Sequence, residues 1–428
     1  MVDEVLPIER GERPLRSLFL DLNSYFASVE QNEQPNLRDK PIAVVPMDAD
    51  TTCVIAASYD AKKFGIKTGT LVGEAKRMCP DLIIVPATPA LYTHYHRRVL
   101  EVVETVLPIE RVCSIDEMRF ALLGKEREAN EARLIAKQMK EALFNGVGPC
   151  MTCSVGIAPN SFLAKLATDM QKPDGLIVIE ASAIPKCFEG LKLTDFAGIN
   201  KRMQARLNGA GIFTPMEMFA KSQSELRTAF GSVVGAKWWY LLRGFILSDE
   251  EEPRKSLSHS HILPPELRND HGCKEVILRL LQKASARLRA NSLWSSHVGF
   301  FVKGMAKSWK ADVSLPPSQD TITFNDAFLR AWESRDFERP LGVGICFTHL
   351  CSADQVTPSL FDDTGERAKL NSAVDTVNQK FGKNTIYLAG MEQAKDSADE
   401  KIAFNKTWLF SEGKGDHEWP DTFRGLTT

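Results

Sequence analysis

The sequence lacks the features that would place the protein in a membrane, outside the cell or in a fibre. No run approaches the roughly 18 consecutive apolar residues that a membrane-spanning helix needs. The N-terminal residues are charged at positions where a signal peptide would be apolar. The sequence shows no internal repeat and no low-complexity segment. These absences predict a cytoplasmic protein.

The cysteines do not form the pattern of a disulfide framework. There are nine of them, an odd number at irregular spacing in a chain of 428 residues, which predicts a reducing compartment. Cys150 and Cys153 form a CxxC pair inside a run that reads as a buried strand. Because no second Cys or His pair stands at ligand spacing, we interpret both as core residues and not as a redox or zinc site.

Net charge is also nearly absent, at −2. This near-neutral total excludes little, because a nucleic-acid-binding protein can carry a local basic surface within it. With 43% apolar and 25% charged residues, the composition is that of an ordinary globular protein. The length is too great for one hydrophobic core and predicts two to four domains.

Two strand-like runs each carry carboxylates. Asp21 lies near the end of the apolar run Ser17–Leu22, and Asp116 and Glu117 lie in a predicted strand over 111–123. Mg²⁺ prefers such hard oxygen ligands, so the three acids are candidate ligands. Neighbours on a strand point to opposite faces, so Asp116 and Glu117 share a site only if the strand bends or Glu117 reaches round. The alternative is that Asp21 caps a helix and the pair lies on a solvated edge.

Strands and helices alternate through the first half of the chain. This order predicts an α/β or α+β unit with its acids at one edge of a sheet. We also expect a strand over 53–57, two short helices joined at Gly198-Ile199, one helical pattern over 226–245, and a polar linker near 247–253. A separate module follows over 257–351, and a tail with one helix over 368–381 comes after it.

Four motifs then occur together: Asp21-Leu-Asn-Ser-Tyr-Phe-Ala-Ser-Val-Glu30, Ala57-Ser-Tyr-Asp-Ala-Lys-Lys-Phe-Gly-Ile66, Ser114-Ile-Asp-Glu117 and Ser154-Val-Gly-Ile-Ala-Pro-Asn-Ser-Phe-Leu-Ala-Lys165. In this order and spacing they resemble the Y-family of translesion DNA polymerases, over roughly the first 245 residues. The resemblance implies a multidomain α/β (α+β) right-hand fold. Its implied domains are palm (1–24 and 88–172), fingers (25–87), thumb with a helix-hairpin-helix (173–245), linker (246–256), little finger (257–356) and C-terminal tail (357–428).

The resemblance also implies the roles of the site residues. Two Mg²⁺ ions would be held by Asp21, Asp116, Glu117 and the Leu22 carbonyl, with the three carboxylates as the catalytic set. Phe26 would be an aromatic gate that excludes a 2′-hydroxyl. The remaining nucleotide contacts would come from Tyr59, Lys62, Lys165, Cys53 and Ile55. Many family members have Arg where this chain has Lys62, and Lys keeps the charge but loses the bidentate fork.

DNA contacts are implied at two places. The turn at Gly198-Ile199, followed by Lys201, resembles a helix-hairpin-helix whose amides face a phosphate, although a plain helical hairpin would fit the pattern as well. Residues 254–310 hold eleven Lys or Arg against three acids. This basic excess, which includes Lys303 and Lys307, predicts a surface for duplex backbone, although a solvated helix face could account for part of it.

The tail contains Pro358-Ser-Leu-Phe-Asp-Asp363, Leu370–Val377 and Gly382-Lys-Asn-Thr-Ile-Tyr-Leu-Ala-Gly-Met391. Together with Lys62, these segments resemble the UmuC type within the Y-family, which implies a bacterial, nucleoid-associated protein. Leu360-Phe361 looks like the end of a sliding-clamp peptide, but Thr357 stands where the leading glutamine is usual, and a chance Leu-Phe is the alternative. UmuD′-like and RecA-like accessory proteins are the other partners that this resemblance implies, beside primer-template DNA and dNTP. No membrane partner is expected.

The function that follows is low-fidelity, template-directed DNA synthesis by two-metal-ion nucleotidyl transfer. One rival is a catalytically silent relative that serves as a DNA-binding scaffold, although such a scaffold would not need three mutually repelling carboxylates. A second rival is another metal-dependent nucleotide enzyme with the same palm topology, such as a cyclase, which would not need the basic module.

Overall fold

The computed structural model describes residues 13–247, 255–356, 364–382 and 384–395. The chain forms two compact units, which divide at Asp249–Glu250. In the described ranges, no helix is long and apolar enough to cross a membrane.

The first unit mixes strands with helices over residues 13–247. Its strands are β1 (Ser17–Leu22), β2 (Ile42–Val45), β3 (Ala56–Ala57), β4 (Ile83–Pro86), β5 (Ile109–Val112), β6 (Glu117–Ala121), β7 (Cys153–Ala158) and β8 (Leu176–Val178). Its α-helices are α1 (Tyr25–Glu33), α2 (Tyr59–Lys62), α3 (Val72–Met78), α4 (Pro89–Glu104), α5 (Ala129–Gly146), α6 (Ser161–Met170), α7 (Lys201–Gly209), α8 (Pro215–Ala220), α9 (Gln223–Phe230) and α10 (Val233–Leu241).

A five-stranded sheet in the order β5-β6-β1-β7-β8 carries the acids. All six residues of its central strand, β1, are buried, as expected for an apolar run that is covered on both faces. β1 runs antiparallel to both neighbours, and Asp21 lies opposite Glu117 of β6 and Ser154 of β7. Directly opposite residues project from the same face of a sheet, so this register brings the two carboxylates together.

The single strand predicted over 111–123 is wrong. The segment forms two antiparallel strands, β5 and β6, joined by a tight bend. The amides of Cys113 and Ser114 both donate to the Glu117 carbonyl, at 2.9 and 3.2 Å, and the Leu22 amide donates to the Asp116 carbonyl at 2.9 Å. Asp116 therefore lies in the bend and is free of the alternation that separates neighbours on a strand.

Two other local predictions need correction. The strand expected over 53–57 is reduced to Ala56–Ala57, and Cys53 makes only an isolated bridge to Leu71. The helical pattern over 226–245 is interrupted at Gly231, whose φ of 67° ends α9 in the left-handed conformation that glycine adopts at little cost. A second helix, α10, begins two residues later.

Two smaller hydrophobic cores accompany the large core of the five-stranded sheet. One lies under the three-stranded sheet β3-β2-β4 and includes Val54, Ile66 and Leu82. The other holds α7 to α10 together around aromatic side chains such as Phe196 and Trp238. The division of this unit into palm, fingers and thumb stays a prediction.

The second unit is a four-stranded sheet with helices packed on it. Its strands are β9 (Ser256–Ile262), β10 (Leu293–Lys307), β11 (Trp309–Ser318) and β12 (Glu338–Ser352), in the sheet order β11-β10-β12-β9. Its α-helices are α11 (Asp270–Ala290), α12 (Thr321–Trp332) and α13 (Thr364–Phe381). No sequence pattern had pointed to β9 or α12.

Part of the predicted tail belongs to the core of this second unit. Met391 and Ala394 are fully buried in its hydrophobic cluster. On α13, Asp375 accepts hydrogen bonds from both Nε and Nη2 of Arg289, at 2.6 and 2.8 Å. Residues 364–382 and 384–395 are therefore integral to the unit, whereas Leu360 and Phe361, the predicted clamp-binding pair, lie outside the described residues.

Candidate active site

Three carboxylates meet at one end of the five-stranded sheet. Asp21 is 5% exposed and lies opposite Glu117 in the strand register. Asp116 lies in the bend beside them, and Ser114 Oγ donates a hydrogen bond of 2.6 Å to its Oδ1. The structure therefore brings together the three acids that the sequence singled out.

Burial and the neighbouring carboxylates dominate the environment of Asp116, although the nearby charge of Lys165 opposes them. Burial raises the pKa of this carboxyl to about 6, and the nearby charges of Asp21 and Glu117 add to the rise. The hydrogen bond from Ser114 acts in the opposite direction. A divalent cation at this position would compensate the repulsion, so the donor set fits a hard metal ion.

Helix α6 supplies the first of two ammonium groups at the site. Its N-terminus is capped by Asn160, whose Oδ1 accepts a 2.8 Å hydrogen bond from the Leu163 amide. The helix lies close against β7 because Gly156 has no side chain: a Cβ there would lie 2.0 Å from the Ala164 carbonyl oxygen. This close approach places Lys165 over the end of β1.

Two lysines neutralise the acids. Lys165 forms ion pairs with Asp21 and, at 3.0 Å, with Glu117. Lys172, just beyond α6, lies 2.8 Å from Asp21, and Asp169 contacts both ammonium groups. Burial opposes the charge of each lysine, but the surrounding carboxylates, above all Asp21, raise both pKa values.

Lys172 and Asp169 were missed in the sequence. The available signal was their spacing, because Asp169 is four residues after Lys165 and three before Lys172. Within the described residues, no three His, Cys, Asp or Glu side chains already surround one point as a preformed metal cage. The ammonium of Lys165 instead bridges Asp21 and Glu117.

Tyr59 and Lys62 of α2 lie beside the same end of the sheet. Lys62 Nζ donates to Ser24 Oγ at 2.7 Å and lies 4.2 Å from the centre of the Tyr59 ring. Burial lowers the pKa of Lys62, and the nearby charge of Lys172 lowers it further. Burial likewise raises the pKa of the Tyr59 hydroxyl. The two predicted phosphate contacts therefore lie within electrostatic range of Lys172 and Asp21.

Asn23 connects these parts through side-chain hydrogen bonds. Its Oδ1 accepts hydrogen bonds from Ser154 Oγ at 3.1 Å and from the Tyr59 hydroxyl at 3.5 Å. Its Nδ2 donates to Thr152 Oγ1 at 3.1 Å. Asn23 thus fixes Tyr59 relative to the strands that carry the acids.

The predicted gate, Phe26, is packed against a second aromatic ring. It is 4% exposed and stacks on Tyr92, with ring centres 4.1 Å apart and planes 12° apart. The Tyr92 hydroxyl donates to Glu30 at 2.7 Å, and this bond fixes the ring from behind. Cys53 is exposed and Ile55 is partly buried, with the Ile55 amide donating to the Val44 carbonyl at 2.9 Å.

The predicted helix-hairpin-helix is only partly present. The segment before Gly198 is a single 3-10 turn, Leu193–Asp195, so the first of the two expected helices is wrong. Gly198 has a φ of 104° and Ile199 is buried, while Lys201 is exposed at the first position of α7. The turn thus places a cation, but no full helical hairpin, at this surface.

The basic segment of the second unit divides into two sets. Lys303 and Lys307 are exposed on β10, and Lys307 pairs with Asp336. Arg279 and Arg289 point inward instead and bond to Asn384 and Asp375. The expected basic surface is therefore smaller than the eleven Lys and Arg of the sequence suggested, because some of these side chains hold the unit together.

Comparison with known proteins finds one matching segment in each of the two units. The family model described as impB/mucB/samB matches residues 20–169, which include the three acids and Lys165. The model of the C-terminal domain of that family matches residues 254–360, in the second unit.

Relatives match nearly the whole chain. DNA polymerase IV of Moorella thermoacetica is 31% identical over 382 residues, covering 87% of this chain and 95% of that protein. DNA polymerase IV 1 of Bacillus subtilis is 26% identical, covering 92% and 97%. Among solved structures, the Y-family DNA polymerase chimera Dbh-Dpo4(243-245)-Dbh matches with a TM-score of 0.66 and 23% identity, covering 79% of this chain and 99% of that one.

Proposed function

The chain belongs to the impB/mucB/samB family and is a translesion DNA polymerase of the Y-family, and on this premise we propose that it extends a primer at the carboxylate cluster of Asp21, Asp116 and Glu117. The observation that carries the assignment is the convergence of these acids, from two strands and a bend, at one end of the sheet. Members of this family depend on divalent metal. The scaffold alternative is not favoured by these relatives.

The proposed cofactor is a pair of Mg²⁺ ions. Asp21, Asp116 and Glu117, with the Leu22 carbonyl, would hold them, because these are hard oxygen donors in a buried and negatively charged setting. Bound there, the ions would activate the primer 3′-hydroxyl and neutralise the triphosphate and the leaving pyrophosphate.

The side chains of this chain bind and orient the nucleotide. Lys165 and Lys172 present ammonium groups beside the acids, where the triphosphate of a metal-bound nucleotide would lie. Tyr59 and Lys62 lie beside them and would contact the same phosphates. Phosphate contacts by lysines are point-charge contacts and not bidentate forks, so the grip on the nucleotide is expected to be modest.

Sugar and base selection would use different groups. The Phe26 ring, backed by Tyr92, would lie under the sugar and leave no room for a 2′-hydroxyl. Cys53 and Ile55 would lie over the new base pair. Because these roof residues are slender, the pair is held loosely, and we propose low fidelity and tolerance of damaged templates for that reason.

The partners beyond substrate are part of the proposal. Duplex DNA would contact the turn at Gly198-Ile199 with Lys201, and the exposed lysines Lys303 and Lys307. The UmuC-like tail motifs support a sliding clamp, bound through Leu360-Phe361, and UmuD′-like and RecA-like proteins as accessory factors. The same motifs support a role in damage-induced (SOS) mutagenesis.

The test is primer extension by a variant in which Asp116 and Glu117 are both replaced by Ala. We expect synthesis to be abolished while primer-template binding is nearly unchanged, because the two acids are not proposed to contact DNA. The matched control replaces Glu101 and Glu104, two exposed acids on α4, by Ala and should retain synthesis. Retained synthesis in the Asp116/Glu117 variant would refute the assignment.

A further inference from the structure

The two ammonium groups at the active site contact three carboxylates between them. Lys165 contacts Asp21, Glu117 at 3.0 Å and Asp169 at 3.3 Å. Lys172 contacts Asp21 at 2.8 Å and Asp169 at 2.9 Å. Lys165 therefore has two partners among the proposed metal ligands and Lys172 has one, and both lysines have a further partner, Asp169, outside that set.

The position of Asp169 makes the sharing possible. It lies in the last turn of α6, one turn after Lys165, and its side chain is 35% exposed. Its Oδ2 faces Lys165 and its Oδ1 faces Lys172. One carboxylate thus contacts both ammonium groups, each through a different oxygen.

A cation that binds Asp21 and Glu117 must displace these lysines. An ammonium that loses its carboxylate partner in a partly buried site is costly to leave unpaired. With Asp169 already in contact, each lysine keeps a partner when it leaves Asp21. The exchange then costs less than the loss of a complete ion pair.

We propose that Lys165 and Lys172 are resident cations of the metal-free site, and that Asp169 is the positioning residue that receives them when divalent metal binds. The proposal rests on the proposed function, since it takes Asp21 and Glu117 as metal ligands. It adds that the affinity of the site for metal depends on an acid that does not bind the metal. The lysines that Asp169 holds would remain beside the site, ready for the phosphates of the nucleotide.

The experiment measures Mn²⁺ binding to the full-length protein without DNA or nucleotide, by electron paramagnetic resonance of the free ion. In Asp169→Asn, the lysines retain only the metal ligands as charged partners, and we expect the Mn²⁺ concentration for half-saturation to rise about tenfold, the effect of one charged contact. Asp169→Glu should restore binding to near the parent value. Asp174→Asn removes an equal charge from a nearby acid that pairs with Lys140, and it should change half-saturation less than about twofold.

A double-variant cycle separates exchange from simple loss of charge. If Asp169 acts through the lysines, the effect of Asp169→Asn should shrink when Lys172 is replaced by Met, whereas independent charges would give additive effects. Unchanged Mn²⁺ binding in Asp169→Asn, an equal loss in Asp174→Asn, or additivity in the cycle would each overturn the proposal. Failure of the parent protein to bind Mn²⁺ would instead refute the metal site of the proposed function.

Discussion

The two units use charge in opposite ways. At the end of β1 and β6, acids and ammonium groups are largely buried and pair with one another, with Asp21 8% and Lys165 17% exposed in their side chains. On β10 and β11 of the second unit, Lys303 and Lys310 are exposed, while Val298, Phe300 and Val302 alternate toward the core. The first arrangement resembles a reaction site and the second resembles a surface for a polyanion.

The difference has an energetic consequence. Charges in a site of low effective dielectric interact strongly and depend on position, so removing one should have a large and specific effect. Exposed charges interact weakly and are screened by salt, so their effects should be small and additive. Variants in the two units test this contrast. The larger effects are expected at the buried end of β1 and β6, the confined site.

The largest effect is expected at Phe26, in the confined site. If Phe26 is the proposed gate, its replacement by Ala should lower the preference for deoxyribonucleotides over ribonucleotides by about 100-fold or more, because no ring would then block the 2′-hydroxyl. Steady-state kcat/KM for matched dNTP and NTP measures this preference.

Two further variants secure the interpretation of Phe26. Because the ring stacks on Tyr92 in the core, Phe26→Leu retains most of the packing while opening the gate in part. Phe64→Ala removes an exposed ring from the same predicted fingers block and should leave selectivity unchanged. Unaltered sugar selectivity in Phe26→Ala would remove the gate assignment.

Lys172 should show the next largest effect. In Lys172→Ala, the apparent KM for dNTP should rise by about 10- to 100-fold, the range expected for one charge-assisted phosphate contact. Lys172→Arg keeps the positive charge and should recover much of the loss. The measurement is single-nucleotide incorporation over a range of dNTP concentrations, and an unchanged KM would show that Lys172 only neutralises Asp21.

His96 should make the stability of the folded protein depend on pH. It is fully buried, and its Nδ1 lies 2.7 Å from the Ile115 carbonyl in the bend that carries Asp116. Burial lowers the pKa of His96 from 6.5 to about 4. Between pH 6.5 and pH 4, His96 is therefore protonated in the unfolded chain but neutral in the folded chain. The stability that His96 contributes is present above pH 6.5 and is lost as the pH falls below it.

The expected loss from His96 is about 1.4 kcal/mol between pH 7.5 and 5.5. Thermal unfolding of the parent and of His96→Gln at both pH values measures it, and the variant should lose less stability on acidification. Equal losses in the two proteins would show that His96 does not govern the acid response.

The sequence predicted the acids better than their surroundings. Asp21, Asp116 and Glu117 were recognisable because each lies at a strand end or bend inside a motif of local residues. The bend at Cys113–Asp116 was only one of two open alternatives, because part of what fixes it is the hydrogen bond to the Asp116 carbonyl from the Leu22 amide of β1, a strand that is distant in the chain. Lys172 was missed for a related reason, since its partner Asp21 precedes it by about 150 residues and only the folded sheet joins them.

For the basic segment over 254–310, the sequence predicted too many surface charges. Counting Lys and Arg over 254–310 treated all of them as surface, but the direction of a side chain depends on which face of α11 the rest of the unit covers. Arg279 and Arg289 face the C-terminal segment, which extends beyond the matched family domain that ends at 360. Composition therefore overestimated how many basic side chains of this segment are available for the proposed DNA contacts.

The smallest effect is expected at the exposed lysines of the second unit, which test the prediction that exposed charges act weakly and additively. Lys310 lies opposite Phe301 in the strand register, so it shares a face with Lys303, two residues further along β10. Replacing both by Ala should reduce the slope of log affinity for primer-template against log salt by about 2, one counterion for each lost phosphate contact. Affinity at a single salt concentration should fall only several-fold, and nucleotide KM should not change. The matched control replaces Lys125 and Lys137, two exposed lysines of the first unit, by Ala; an equal change of slope there would mean that total charge, and not this face of β10 and β11, sets the salt dependence.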